Sequence, residues 1–135
     1  MANRLLKQFP ATLEAGVVKL YGSATTSTSG TLASTATKGF SIAKTAAETG
    51  RYTITLEDDW VKLLSASVTL VGSSDAAYTG AAGIVSILRN DTVGVSGGKT
   101  VQIQWTTAVA TPADAEIENG AKMLIELTLK NSTAY

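Results

Sequence analysis

Apolar and polar residues alternate with a period of two in four windows of the chain, and that period marks a strand with one buried and one solvated face. Over residues 51–57, Tyr52, Ile54 and Leu56 fall on one side while Thr53, Thr55 and Glu57 fall on the other. Residues 65–70 set Ala66, Val68 and Leu70 against Ser65, Ser67 and Thr69. Residues 99–106 set Val101, Ile103 and Trp105 against Gln102, Gln104 and Thr106. Gly97-Gly98 sits just before that run, so it reads as a hairpin arm. Met123, Ile125, Leu127 and Leu129 alternate with Leu124, Glu126, Thr128 and Lys130 in a closing strand opened by Asn119-Gly120. Weaker strand signals cover residues 16–21, 39–44 and 83–88.

Residues 23–37, 46–50, 72–82, 90–98 and 107–120 read as loops. The first is a Ser/Thr/Ala/Gly tract whose β-branched threonines keep it compatible with an edge strand. Helical character is confined to residues 58–64, where Trp60, Leu63 and Leu64 share a face after the acidic start Glu57-Asp58-Asp59, enough for one turn. About seven short strands with glycine punctuation predict an all-β chain: a single-domain antiparallel β-sandwich, jelly-roll-like, with a small β-barrel as the competing closure. The expected division is an N-terminal arm over residues 1–12, the sandwich over 13–131 and a C-terminal tail over 132–135.

Composition narrows the chemistry. The chain has 135 residues, which fits one domain with a real core. It contains no histidine and no cysteine, which removes the commonest general base and metal ligand, thiol nucleophiles, disulfides and thiolate zinc sites. Eleven basic residues balance 11 acidic ones, without the basic excess needed to neutralise many phosphates, so nucleic acid is not an expected partner. Charged residues are only 16% of the chain, against roughly 25% in ordinary globular proteins. A surface of small hydroxylated residues suits close, repeated protein contacts. No apolar run reaches the length of a membrane span, and the one near the N-terminus is too short for a signal sequence. The expectation is a protein neither embedded in a membrane nor secreted by that route.

Several segments invite a sharper chemistry. Gly94-Val95-Ser96-Gly97-Gly98-Lys99-Thr100 resembles a phosphate loop but has Val93 where the first glycine belongs, and it leads into a strand instead of a helix. A hairpin turn is the better reading. Glu57-Asp58-Asp59 lacks the glycine-bearing ligand loop of a calcium site and reads as a solvated turn. Asp75, Asp91, Asp114, Glu116 and Glu118 lie in expected loops, yet no spacing brings two of them together as a hydrolytic pair. The expectation is therefore a protein that is not an enzyme, with no catalytic, cofactor-binding or metal-binding residues and no cofactor. Asn90-Asp91-Thr92 and Asn131-Ser132-Thr133 match the glycosylation acceptor pattern, as chance does in a threonine-rich chain.

The candidate interaction residues are apolar, aromatic or basic. Trp105 continues the Val101/Ile103 face and belongs to the core. Trp60 stands where a strand gives way to a turn, placed to cap the core or to project into a partner. Leu5, Leu6 and Phe9, beside Arg4 and Lys7, make an arm that packs on its own domain or on a neighbour, and Tyr135 is a candidate docking residue at the other terminus.

From Gly50-Arg51-Tyr52-Thr53-Ile54-Thr55-Leu56-Glu57-Asp58-Asp59-Trp60 through Val61 to Leu70, the sequence resembles small virion proteins of tailed bacteriophages, among them head decoration or cement proteins. The hairpin at Gly97-Gly98-Lys99-Thr100-Val101 and the run from Gly120-Ala121-Lys122-Met123 to Asn131-Ser132-Thr133 fit the same resemblance, which covers the chain from Gly50 onward. It implies a non-enzymatic protein on the outer surface of an icosahedral head. There it would bind the major capsid protein, stabilise the expanded shell and associate with itself, most often as a trimer. Two alternatives remain open: a tail, neck or adaptor component of the virion, and a carbohydrate-binding β-sandwich on the particle surface that stacks sugars on Trp60 or Tyr78.

Overall fold

A computed structural model describes residues 16–73, 84–95 and 97–130. They form eight strands: β1 (Val17–Thr26), β2 (Leu32–Thr37), β3 (Phe40–Lys44), β4 (Arg51–Leu56), β5 (Lys62–Val71), β6 (Ile84–Asp91), β7 (Thr100–Thr107) and β8 (Lys122–Lys130). The strands make two four-stranded sheets, ordered β2-β1-β8-β5 and β3-β4-β7-β6, and every pairing is antiparallel. The result is an all-β sandwich. Among the described residues no strand of one sheet pairs with a strand of the other, so the barrel alternative is not formed.

Chain order explains the arrangement. β1–β2, β3–β4 and β6–β7 are neighbouring antiparallel pairs, as short connections favour. A Greek-key swirl, the device shared with jelly rolls, is confined to the second half: β5, β6 and β7 follow one another around the sandwich, and β8 returns beside β5. β8 is thereby central in its sheet, and its inward residues Met123, Ile125, Leu127 and Leu129 are all buried.

The core follows the period-two pattern. Tyr52, Ile54 and Leu56 of β4, Val101, Ile103 and Trp105 of β7, and Phe40 and Ile42 of β3 face the β8 residues across the interior. At about 25 cal/mol per Å2, burying side chains of this size is the main force holding the sheets together. Ala66, Val68 and Leu70 of β5 are only half-buried, packed against the rim of the core.

Three local expectations need correction. Residues 23–26 are not a loop but the second half of β1, and residues 32–37 are β2, the edge-strand option the threonines left open. Residues 58–64 hold no helical turn: β5 begins at Lys62, and a register shift between Leu63 and Ser65 puts Leu63 inside and Leu64 outside. A bulge places two successive residues opposite one, and so produces apolar spacing that imitates a helix. Asn90 and Asp91 end β6 and are not loop residues. The 92–99 turn between β6 and β7 is a hairpin connection, closed by Thr92 N–H to Thr100 O at 2.9 Å.

Candidate functional site

The sandwich has two poles. The first collects the end of β1, the start of β2, the end of β3, the start of β4 and the long segment after β7. There Glu116 accepts from Lys44 Nζ at 2.7 Å and from Gly50 N–H at 3.2 Å. Lys44 also donates to Ser29 O, and Tyr52 Oη donates to Gly30 O at 2.6 Å. Both glycines are required by this packing. A Cβ on Gly50 (φ 61°) would lie 1.9 Å from Ala115 O, and one on Gly30 (φ 64°) would lie 1.9 Å from Glu116 Oε1. Burial, with the Glu116 charge adding to it, holds the Tyr52 hydroxyl above its ordinary pKa of 10.0.

Loop backbone completes that pole. Ala115 N–H donates to Trp105 O at 2.9 Å, Trp105 N–H to Gly50 O at 2.9 Å, and Thr107 N–H to Ala113 O at 2.9 Å. Gln104, on the nominally solvated face of β7, is fully buried under these loops. Its Nε2 donates to Thr49 O at 2.7 Å, and its Oε1 accepts from Arg51 Nε at 3.0 Å. Thr26 donates to Glu118 O at 2.5 Å, and Glu118 Oε1 accepts from Ser73 N–H at 2.6 Å. Asp91 accepts from Val93 N–H at 2.9 Å. Of the five carboxylates weighed for hydrolysis, Asp91, Glu116 and Glu118 thus hold backbone in place. Asp114 lies in an isolated bridge to Thr106, and Asp75 is outside the described residues.

The second pole carries the start of β1, the Lys38-Gly39 turn and residues 57–61. Tyr21 projects from the outer face of β1 with 60% of its surface exposed. It separates a hollow of about 260 Å3, shared with Ser67, Thr69 and Leu124, from a larger cleft of about 550 Å3 lined by Leu20, Lys38, Gly39, Glu57 and Asp58. Lys19 pairs with Glu126 at 3.1 Å, which raises the Lys19 pKa above its usual value. Glu57, Asp58 and Asp59 form an exposed turn, with Asp59 paired to Lys99 at 3.1 Å.

Trp60 is half-buried against the core, and its Nε1, like that of Trp105, is enclosed with no hydrogen-bond acceptor among the described residues. Beside Trp60 lies a shallow cleft of about 340 Å3 with Gly94, Gly97 and Gly98 on its walls. The other expected interaction residues, Arg4, Leu5, Leu6, Phe9 and Tyr135, lie outside the described residues, as does Tyr78. Tyr21 was missed because its strand signal is weak. Its alternation with Leu20 and Lys19, continuing Val18, was the available clue to an outward aromatic. The Ala115/Ile117 alternation with Asp114, Glu116 and Glu118 was the clue to an ordered segment inside the expected last loop.

Among the described residues no cluster of three or more metal-ligating acids exists. In comparison with known proteins, the chain matches no family model, no curated protein and no solved structure.

Proposed function

We propose that this chain is a non-enzymatic structural protein of the capsid decoration or cement kind. In this reading it binds the major capsid protein on the outer surface of a bacteriophage head and associates with copies of itself, with a trimer favoured. Beyond the resemblance from Gly50 onward, one observation carries the reading. On the outer face of the first sheet Tyr21 and Leu124, 60% and 42% exposed, stand among Ser23, Ser67 and Thr69, with the Lys19–Glu126 pair beside Tyr21 and Lys62, Lys122 and Lys130 toward the ends of the strands. Small hydroxylated side chains with isolated aromatic and aliphatic anchors suit a contact repeated many times.

The mechanism is mass action. A protein that binds only the assembled shell stabilises that shell in proportion to its occupancy, and an oligomer joins several modest contacts into one strong attachment. The test is the copy number relative to the major capsid protein in purified particles, by quantitative mass spectrometry. Hundreds of copies in a simple ratio to the shell subunit support decoration. About a dozen would move the protein to the neck, tail or an adaptor ring, and none would end the virion reading.

A carbohydrate-binding module is a second reading, favoured by the exposed Tyr21 ring between two hollows, one bordered by Ser67 and Thr69 and the other by Glu57 and Asp58. Sugar rings stack on such platforms while flanking hydroxyls and carboxylates bond the sugar hydroxyls. A glycan array that lights up with the native chain and goes dark with Tyr21→Ala would favour it over decoration.

A further inference from the structure

β6 is an edge strand: β7 pairs with one side of it, and among the described residues no strand pairs with the other. The bonds of β7 fix which backbone groups of β6 face the open side. Trp105 N–H donates to Gly50 O at 2.9 Å and Thr107 N–H to Ala113 O at 2.9 Å, both away from β6, whereas Thr100 O accepts from Thr92 N–H at 2.9 Å. Backbone direction alternates along an antiparallel strand, so Gln104 and Thr106 bond their register partners Ile87 and Val85. Ile84, Ser86 and Leu88, opposite Thr107, Trp105 and Ile103, consequently turn their N–H and C=O groups outward. No backbone bond joins these groups to any other described segment.

The side chains of this edge are apolar and half uncovered. Val85 and Ile87 lie on the outer face with Thr106 and Gln104 and are each 45% exposed, and Leu88, at the rim of the core, is 50% exposed. Residues 84–88 contain neither a charge nor a proline, two of the devices that keep edge strands from pairing. The other edges are better guarded. β5 opens on Lys62 and carries a bulge between Leu63 and Ser65, β3 ends in Lys44, and β2 exposes only small side chains from Ala33 to Ala36.

We propose that β6 pairs antiparallel with β6 of a second copy about a two-fold axis at Ser86. A two-fold interface has to be self-complementary, and residues 84–88 meet that condition. Ser86 comes opposite Ser86 and Ile84 opposite Leu88, so every outward N–H and C=O meets a free counterpart, in three residue pairs of two bonds each. Between them Val85 falls opposite Ile87 in the closer, non-hydrogen-bonded pairs, and these side chains from both copies form one apolar patch across the axis. An axis at Ile87 would set Val85 opposite Arg89 and Ile84 opposite Asn90, past the register shift that follows Leu88. An axis at Val85 would set Ile87 opposite Gly83, before the strand begins. Pairing β6 with a different edge of the next copy would leave a free edge at each end and grow an open chain, whereas the two-fold closes. Five residues a side make a contact smaller than the roughly 1,200–2,000 Å2 of stable complexes, so the dimer is reversible and concentration-dependent.

This contact needs no shell and is not the trimer favoured above, so the two readings fail separately. Sedimentation equilibrium of the full-length chain over a concentration series should show a monomer passing reversibly to twice its mass. Ser86→Pro removes the outward N–H at the axis and leaves the bonds of Val85 and Ile87 to β7 in place. It should weaken the dimer at least about ten-fold with an unchanged circular-dichroism spectrum. Ile87→Lys, a second variant in case the proline disturbs folding, places like charges beside the axis and should also weaken it; adding Val85→Glu should restore it. The register is read by oxidation, since the chain has no cysteine of its own. Val85→Cys mixed with Ile87→Cys should give a mixed disulfide dimer, and either variant alone should not, its thiols lying on a diagonal of about 7–8 Å. A native chain monomeric at every concentration would overturn the proposal and leave the edge to a strand of another protein. A three-copy mass unchanged by Ser86→Pro, or disulfides formed equally by the single variants, would overturn it too.

Discussion

At the first pole the loops are drawn over the sheets and fastened: Glu116 gathers Lys44 and Gly50, Tyr52 reaches Gly30, and Gln104 holds the 45–50 turn from beneath. At the second pole the β1–β2 pairing stops at Gly22, Tyr21 stands in solvent, and Glu57 and Asp58 take part in no ion pair among the described residues. The difference lies in where hydrogen-bonding groups find partners. The loop backbone, Glu116, Tyr52 and Gln104 at the first pole are bonded within the chain, so substitutions there act on stability. At the second pole fewer side chains of the described residues are tied into the fold, so substitutions there are expected to act less on stability.

Four experiments would break or sharpen this contrast, and the largest effect is expected at Gly50. Gly50→Val drives a side chain into Ala115 O from a left-handed backbone and should cost about 3–5 kcal/mol, read as a fall in Tm of roughly 10 °C or more. Tyr52→Phe deletes the 2.6 Å bond and leaves Gly30 O buried without that donor, a loss of about 1–3 kcal/mol in urea unfolding.

The same tyrosine gives a pH signature. Its folded pKa lies above the unfolded value of 10.0, so its contribution is whole below that pH and drains away as the pH climbs from there toward the folded value. Urea midpoints of the native chain should decline between pH 10 and 11 more steeply than those of Tyr52→Phe; parallel declines would show that Tyr52 is not the group involved.

Glu116→Gln keeps an acceptor for Gly50 N–H but loses the Lys44 ion pair, which is partly solvated. A loss of up to about 1 kcal/mol, shrinking in high salt, is expected. Tyr21→Ala at the second pole should leave the unfolding free energy within about 0.5 kcal/mol of the native chain while altering whatever contact that face makes. A large loss of stability there would erase the distinction between the poles.

The strands of the core were legible because a period of two has one physical cause: one face meets the other sheet, and the opposite face meets water. Tyr52, Ile54, Leu56, Val101, Ile103, Trp105 and the four apolar residues of β8 all lie where that rule puts them. The rule broke phase between Leu63 and Ala66, where a bulge leaves Leu64 and Ser65 both exposed, and failed at Gln104, where a loop from elsewhere in the chain replaced water. Of the candidate interaction residues, Trp60 is described and is mostly given over to packing, whereas the exposed aromatic, Tyr21, sat in a run too short to stand out.

By itself the sequence determined the all-β class, the inward face of the clearest strands and the poverty of acid–base chemistry, because these depend on residue type and local spacing. Strand order, the closure of one pole and the short β1–β2 pairing at the other were decided only in the tertiary structure. Each depends on which distant segments arrive side by side: Glu116 beside Lys44, 72 positions away, and β2 pairing with β1 only as far as Gly22 while β8 pairs with it as far as Val17. No local pattern encodes that meeting, since its free energy arises only when the whole core has assembled.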